Sequence, residues 1–195
     1  MFINWKLREI NLKIVYYGPA LSGKTTNLEY IHSKLKPELR GELISLKTRE
    51  DRTIFFDFLQ LEVGEIKSLK PKFNLYTVPG QVIYAASRKL VLQGTDGVVF
   101  VADSQWDRLQ ANVESMRSLQ NNLRQLGYDP VHLPLTMQYN KRDLPNRVPI
   151  AVLEARLGHN GVPHIESVAI RGVGVFDTLK TIINAVVTKV QREIG

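Results

Sequence analysis

Apolar positions along the chain follow two spacings, one typical of strands and one typical of helices. The segment 10–17 alternates and then becomes continuously apolar, which predicts a strand, whereas Leu28, Ile31 and Leu35 recur every three or four residues, which predicts a helix. The uninterrupted apolar segment 97–102 is typical of a parallel strand that is covered on both faces. Strand and helix patterns therefore follow one another along the chain.

The remaining patterns complete an α/β fold. Segments 54–61 and 72–78 flank a tight turn at Val63-Gly64, so we expect them to pair as an antiparallel hairpin. Further strands are predicted at 43–46, 133–139 and 165–169, and helices at 26–35, 87–93, 109–126, 150–157 and 175–190. Because strands alternate with helices, we expect a mostly parallel sheet of six to seven strands with helices on both faces, built by residues 1–195 as a single domain.

Composition narrows the class of protein. The 195 residues include 44% hydrophobic residues and no cysteine, which suits one hydrophobic core and excludes disulfides and thiolate metal sites. No signal peptide and no apolar span of about eighteen residues is predicted, so any membrane contact is expected to be peripheral. The net charge of +7 comes from basic residues spread along the chain without interleaved aromatic residues. This pattern argues against nucleic-acid binding. Three explanations of the positive charge stay open: a solvated surface, an acidic partner or anionic lipid.

A phosphate-binding loop is predicted by the sequence Gly18-Pro19-Ala20-Leu21-Ser22-Gly23-Lys24-Thr25. Backbone N–H groups of such a loop surround a β-phosphate, the lysine reaches the β and γ oxygens, and the hydroxyl binds Mg²⁺. The motif lies between a predicted strand and a predicted helix, which directs the positive end of the helix dipole at the anion. We therefore expect Mg²⁺ at Thr25 and the nucleotide at Gly18, Ala20, Leu21, Ser22, Gly23, Lys24, Thr25 and Thr26.

A second motif, Asn140-Lys141-Arg142-Asp143, directly follows the predicted strand 133–139. It resembles the Asn-Lys-x-Asp element of guanine-nucleotide-binding proteins. The Asp143 carboxylate can accept from both guanine N1–H and the 2-amino group, whereas adenine offers neither donor and would leave the carboxylate unpaired. The alternative is a charged surface loop, but the phosphate-binding loop upstream favours a nucleotide site that includes Asn140, Lys141 and Asp143.

With both motifs in place, the chain resembles a P-loop NTPase of the Ras-like small GTPase type, which has a three-layer fold, and more closely the bacterial MglA family. The segments 52–59, 75–81 and 86–90 carry the closer resemblance, above all Thr77-Val78-Pro79-Gly80-Gln81. The resemblance implies a cytoplasmic GTP/GDP switch that hydrolyses GTP and sets cell polarity for gliding or twitching motility, with recruitment to a cell pole. It also implies two kinds of partner for a chain that is monomeric by itself: a Roadblock-type (MglB-like) GTPase-activating protein, and polarity or motility effectors.

The resemblance also implies roles for residues near the γ-phosphate. Thr53 would sense this phosphate and help to bind Mg²⁺, Gly80 would offer its backbone amide, and Gln81 would orient the attacking water. Arg52 would neutralise charge in the transition state, and Arg49 is the alternative arginine. Simpler roles stay open for three of these residues: an ordinary strand residue at Thr53, a solvated loop residue at Arg52 and a surface amide at Gln81.

Two departures from the Ras-like pattern leave questions open. A weak match around 167–170 implies only that the backbone amide of Ala169 contacts guanine O6. Thr77 stands where other small GTPases have the aspartate that helps to hold Mg²⁺. If the predicted hairpin pairs, Asp57 lies near Thr77 and supplies the lost charge to the metal; otherwise Asp57 faces solvent on an edge strand. The missing aspartate also leaves open a nucleotide-bound scaffold with little hydrolysis, while the guanine motif disfavours a metabolic kinase.

Overall fold

One sheet of eight strands organises the computed structural model of the protein, which describes residues 1–47, 53–80, 85–129, 132–158 and 161–194. The strands are β1 (Phe2–Asn4), β2 (Glu9–Tyr17), β3 (Ile44–Lys47), β4 (Thr53–Glu62), β5 (Lys70–Thr77), β6 (Gly97–Asp103), β7 (Leu135–Asn140) and β8 (His164–Glu166). The α-helices are α1 (Lys24–Lys34), α2 (Ala85–Leu92), α3 (Leu109–Gln125), α4 (Ile150–Leu157) and α5 (Val175–Ile194). Across the sheet the order is β3-β4-β5-β2-β6-β7-β8, and β1 pairs with the start of β2.

The strand directions confirm the predicted mixed, mostly parallel sheet. β2 is parallel to β5 and β6, and β7 is parallel to β6 and β8. β4 is antiparallel to β5, so the predicted hairpin forms, and β4 also pairs with the antiparallel β3. The continuous path of strands matches the predicted number, and the three-residue β1 is an addition that the apolar pattern did not indicate.

Two hydrophobic clusters cover the two faces of the sheet because side chains alternate along each strand. Ile10, Leu12 and Ile14 of β2 belong to the cluster that includes α1 and α5, whereas Val15 and Tyr17 belong to the cluster that includes α3 and α4. β6 is buried along its whole length, as its continuous apolar pattern predicts. None of the described helices is long and apolar enough to cross a membrane.

The sheet brings the predicted motifs to one edge of the molecule. β2, β6 and β7 are parallel, so their carboxyl ends lie on the same side. β2 ends at Tyr17, immediately before the phosphate-binding loop, and β7 ends at Asn140, the first residue of the guanine motif. Open α/β sheets bind their ligands at this edge. The opposite edge carries the turn that joins β1 to β2.

Candidate functional site

The phosphate-binding loop connects β2 to α1, and two of its polar side chains, Lys24 and Ser22, are buried. Lys24 is buried, and its Nζ donates to the carbonyl oxygens of Gly18 (3.0 Å) and Pro19 (2.7 Å). The Ser22 Oγ is also buried, and it has no hydrogen-bond partner among the described residues. These groups fit an anionic ligand, which would satisfy Ser22 and replace the loop carbonyl oxygens as the partner of Lys24.

The electrostatic state of Lys24 also fits an anion site. Burial lowers the pKa of its ammonium group to about 7, although the nearby Asp57 carboxylate acts in the opposite direction. Arg88 of α2 and Arg108 lower this pKa further through charge repulsion. Three cationic side chains therefore converge on the phosphate-binding loop, and a bound phosphate would relieve their mutual repulsion.

Asn140 fastens the phosphate-binding loop to the guanine motif. Its Nδ2 donates to the carbonyl oxygen of Ser22 (2.8 Å), and its Oδ1 accepts from Ser167 Oγ (3.1 Å) and from Ala169 N (2.9 Å). Gly23 has a φ of 101°, and a Cβ at this position would lie 2.2 Å from Asn140 Nδ2. Glycine is required here for both reasons. Asn140 thus holds three loops in one arrangement.

A cavity of about 350 Å³ lies where these three loops meet. Its lining includes residues of the phosphate-binding loop, of the guanine motif and of the loop after β8, among them Leu21, Gly23, Thr26, Asn140, Asp143 and Ala169. Motifs that are far apart in sequence therefore share one cavity. The lining thus offers a carboxylate as well as a phosphate-binding loop, and a guanine nucleotide needs both.

Ion pairs hold two side chains of the guanine motif. Lys141 Nζ lies 2.6 Å from Asp103 Oδ2 at the end of β6, and Asp143 Oδ2 lies 3.3 Å from Arg171 Nη2. The Arg171 side chain is 62% exposed, so solvent weakens its ion pair and a base can displace it from Asp143. The Ala169 amide donates to Asn140, so its predicted contact with guanine O6 requires that this donor be shared.

A buried carboxylate faces the first turn of α1. Asp57 is fully buried, and its Oδ2 accepts from Thr25 Oγ1 (2.5 Å) and from Thr77 Oγ1 (2.7 Å). Its Oδ1 accepts from Ser45 Oγ. The predicted proximity of Asp57 and Thr77 is confirmed. The alternative, in which Asp57 faces solvent on an edge strand, is wrong because β4 lies between β3 and β5.

Strand register creates this cluster of oxygen atoms. Ser45 pairs with Asp57 across β3 and β4, and the Asp57 backbone N–H donates to Thr77 Oγ1 (2.8 Å) on β5. A buried carboxylate without partners is costly, and the hydroxyl donors offset part of that cost. Carboxylate and hydroxyl oxygens are also hard ligands of the kind that Mg²⁺ prefers. Thr25 and Asp57 therefore fit the predicted metal.

The residues expected around the γ-phosphate are described only in part. The backbone of Gly80 packs so closely on the phosphate-binding loop that a Cβ would lie 2.3 Å from the Ala20 nitrogen, which explains why glycine occupies this position. Thr53 is the first residue of β4, but its side chain lies outside the described part of the chain. Arg52 and Gln81 lie wholly outside it. The roles of these three residues stay predictions.

Two residues near the loops were not identified from the sequence. Arg108 follows β6 and donates from Nη2 to the carbonyl oxygen of Ala20 (2.8 Å). No motif marks this arginine, because its contact depends on how two loops pack. Asp103 holds Lys141, and its position at the end of an apolar strand, at the ligand-binding edge, is a signal that could have indicated it.

A buried polar network beneath the site was missed as well. Gln138 of β7 exchanges two hydrogen bonds with Asn27 of α1 (2.8 and 2.9 Å) and donates to Thr178 Oγ1 of α5 (2.9 Å). Asn27 also donates to the carbonyl oxygen of Gly23 (2.8 Å). The network ties the start of α1 to the strand that carries the guanine motif.

Comparison with known proteins relates the chain to a protein of established name. No protein-family model matches the chain. The chain is similar to the mutual gliding-motility protein MglA of Myxococcus xanthus (strain DK1622), and the two are 57% identical over 191 residues, which cover 98% of each chain. The similarity therefore extends over nearly the whole of both proteins.

Proposed function

This chain belongs to the MglA family of Ras-like small GTPases, and we propose that it is a GTP/GDP switch that hydrolyses GTP and controls cell polarity or gliding motility. The Myxococcus relative is a gliding-motility protein, and its identity to this chain extends over nearly the full length. This similarity supports a role in gliding motility for this chain as well. The observation that carries the nucleotide part is the cavity shared by the phosphate-binding loop and the guanine motif.

Guanine is the proposed base. The Asp143 carboxylate would accept from N1–H and the 2-amino group, after its exposed ion pair with Arg171 opens. Lys141, held by Asp103 at 2.6 Å, would cover the base with its aliphatic stem. Asn140 would keep both residues in place relative to the phosphates through its bond to Ser22. Ala169 would contribute its amide to guanine O6.

The phosphates and Mg²⁺ would lie at the start of α1. The backbone of Gly18 to Gly23 would surround the β-phosphate, and Lys24 would move its ammonium group from the loop carbonyls to phosphate oxygens. Thr25 and Thr53 would hold Mg²⁺ directly, and Asp57 would supply the charge that Thr77 lacks. When bound, Mg²⁺ would supply positive charge that offsets the negative charge developing on the phosphates during transfer.

Hydrolysis would depend on residues that follow β3 and β5. Gln81 would orient the attacking water, Arg52 would stabilise charge on the γ-phosphate in the transition state, and the Gly80 amide would contact the same phosphate. A Roadblock-type (MglB-like) activating protein would hold Arg52 and Gln81 in position around the γ-phosphate. Contacts with that partner would offset the conformational entropy that is lost when the two residues are ordered. Polarity or motility effectors would bind the GTP state.

The remaining proposals concern the whole chain. Residues 1–195 would act as a single G domain that is monomeric by itself and works in the cytoplasm with recruitment to a cell pole. The common sheet, and the two clusters that cover its faces, support one domain. Basic residues without interleaved aromatic residues give no support for nucleic acid as a partner.

Two measurements test the proposed activity. The nucleotide that copurifies with the protein is identified first, and we expect GDP or GTP. Phosphate release from GTP is then measured with the protein alone and with a Roadblock-type partner. We expect slow release alone and a large increase with the partner.

The matched variants are Lys24→Met, which removes the phosphate-binding ammonium, and Lys180→Met, which changes an exposed lysine of α5. Only Lys24→Met is expected to lose nucleotide binding. Tight GTP binding without release, even with the partner, would favour the scaffold alternative. Copurified adenine nucleotide would contradict the guanine site.

A further inference from the structure

The turn between β1 and β2 exposes large apolar side chains at the edge opposite the nucleotide site. Trp5 is 69% exposed and Leu7 is 57% exposed, and Phe2 of the adjoining strand is 66% exposed. Single exposed apolar residues are ordinary on protein surfaces, but three within six positions of one hairpin concentrate apolar surface where no core needs it. A tryptophan so placed is expected to have a contact outside the chain.

Basic side chains surround these apolar residues. Lys6 and Arg8 belong to the same turn, and the Arg8 carbonyl accepts a hydrogen bond from the Lys70 backbone (2.8 Å), which brings the turn before β5 alongside. That neighbouring turn exposes Lys67, and the first residue of β5, Lys70, is also exposed. We call this surface the basal patch and define it as Trp5, Lys6, Leu7, Arg8, Lys67 and Lys70.

The charges of the basal patch are available to a partner. Its four basic residues form no ion pair within the part of the chain that the structure describes. The carboxylates of Glu9 and Glu62 are instead occupied by Lys72, at 2.9 and 3.6 Å. Glu38, Glu62 and Glu65 line a cavity together with Arg8 and Lys70, so the four basic side chains of the patch exceed the carboxylates beside it by one.

We propose that the basal patch is a docking site for an anionic lipid surface. Tryptophan prefers the interface between lipid and water, where its ring is buried among acyl chains and its N–H stays hydrated. Lysine and arginine beside it are attracted to acidic headgroups, and a short apolar insertion plus several such charges is enough for reversible binding. A second copy of this chain fits the patch poorly, because the positive charges of the two identical patches would repel each other.

The position of the patch suits a switch that acts at a membrane. β2 runs from the basal patch to the phosphate-binding loop, and its nine residues span about 26 Å at the usual rise per residue. Docking would therefore leave the nucleotide edge facing away from the lipid and open to partners. The proposal does not depend on which nucleotide is bound or on hydrolysis.

Vesicle flotation tests the proposal directly. The full chain is mixed with vesicles of phosphatidylcholine alone or of phosphatidylcholine with phosphatidylserine, and we expect flotation only with the acidic lipid. The double variant Trp5→Ser/Leu7→Ser should lower binding at least about tenfold. Lys6→Gln/Arg8→Gln should lower it roughly 25-fold, since each basic residue near an acidic surface contributes roughly fivefold.

The matched control is Trp106→Ser, which removes the other tryptophan, an exposed residue at the nucleotide edge. It should float like the parent. Because the substituted side chains are exposed, the thermal unfolding midpoint and nucleotide affinity of the variants should be unchanged, which separates lost docking from lost folding. Absent flotation of the parent, unchanged flotation of Trp5→Ser/Leu7→Ser or an equal loss in Trp106→Ser would overturn the proposal.

Fluorescence adds a readout that charge attraction alone would not move. In Trp106→Phe the remaining tryptophan is Trp5, and its emission should shift to shorter wavelength on acidic vesicles and be quenched by brominated lipid. Emission that stays unshifted would show that Trp5 does not enter the lipid and would contradict the proposal. A shift produced equally by an acidic polypeptide in the absence of vesicles would assign the patch to a protein partner instead.

Discussion

The two halves of the nucleotide site are built in different ways. The base half, formed by Asn140, Asp143 and Ala169, consists of loops joined by hydrogen bonds to one asparagine. The proposed metal half, formed by Thr25, Asp57 and Thr77, would depend on a carboxylate from the strand beside the one where small GTPases usually place it. One nucleotide would thus be held by contiguous motifs on the base side and by strand register on the metal side.

This difference predicts how each half responds to change. In the proposed base half a single side chain, that of Asp143, would carry the specificity, so its exchange should alter which nucleotide binds. In the metal half the charge lies on β4 and its partners lie on α1, β3 and β5, so substitutions should alter metal dependence and turnover while base choice is kept.

The largest effect is expected for the two residues proposed to be catalytic, Arg52 and Gln81. Arg52→Ala and Gln81→Leu should each lower partner-stimulated GTP turnover by roughly 10³-fold or more, because both groups are proposed to act in the transition state. Affinity for GTP and for the partner should be nearly unchanged. The assay is phosphate release under saturating partner, with Arg49→Ala as the matched arginine control. Full stimulated turnover in Arg52→Ala would place the catalytic arginine at Arg49 or in the partner.

A change of base preference comes next. Asp143→Asn should shift the ratio of GTP to XTP affinity by at least about a hundredfold, because the amide donates to the 2-oxo group of xanthine and no longer accepts from guanine. Competition between the two nucleotides measures this ratio. Asp129→Asn, an exposed carboxylate away from the site, is the control. An unchanged ratio would remove Asp143 from the base half.

The buried network beneath the base half should affect stability. Gln138→Leu removes one hydrogen-bond partner each from Asn27 Nδ2 and Thr178 Oγ1 and the donor to Asn27 Oδ1, and should cost about 1 to 3 kcal/mol of unfolding free energy. The thermal unfolding midpoint should fall by several degrees, and nucleotide affinity should weaken because Asn27 also holds the Gly23 carbonyl. Gln110→Leu on the surface of α3 serves as the control. Equal midpoints for the two variants would show that the network is dispensable.

The smallest expected effect is the uptake of a proton by Lys24 when nucleotide binds. The buried Lys24 has a pKa of about 7, well below its ordinary value of 10.5, so between these values the unfolded chain binds more protons than the nucleotide-free protein. Stability of the nucleotide-free protein should therefore rise with pH across this window. A bound phosphate favours the protonated ammonium form of Lys24, so binding takes up a proton above the lowered pKa. Nucleotide affinity should therefore fall by up to about tenfold per pH unit above that pKa.

Two measurements check this linkage. Calorimetry in buffers of different ionisation enthalpy detects the proton taken up when nucleotide binds. Thermal unfolding of the nucleotide-free protein across the pH window gives the stability trend, and Lys24→Met should abolish that part of it. Binding without proton uptake would mean that Lys24 keeps its proton in the free protein.

The sequence indicated the residues of the proposed base half more directly than those of the proposed metal half, for a physical reason. The phosphate-binding loop and the residues Asn140 to Asp143 are each contiguous, so their chemistry is visible in the order of residues. Asp57 could be placed near Thr77 because two neighbouring strands form one hairpin. Ser45 and Arg108 could not be found this way, since their contacts depend on the register of β3 and on the packing of distant loops.

The fold was predicted for a similar reason. Apolar residues recur every two positions in a strand and every three or four in a helix, and this spacing shows which face of the element is buried. The longer strands and helices could therefore be recognised from their own residues. The three-residue β1 carries no such pattern, and its pairing with β2 is a tertiary feature. The Gln138 network was missed because buried amides give no periodic signal.

The Mg²⁺ dependence of GTP binding by Asp57→Asn tests the metal half most directly. The change removes the charge but keeps the size of the side chain, and Asp107→Asn, an exposed residue after β6, is the control. We predict that the Mg²⁺ concentration for half-maximal GTP binding rises about 10- to 100-fold in Asp57→Asn and is unchanged in Asp107→Asn. An unshifted Mg²⁺ titration of a folded Asp57→Asn protein would contradict the account.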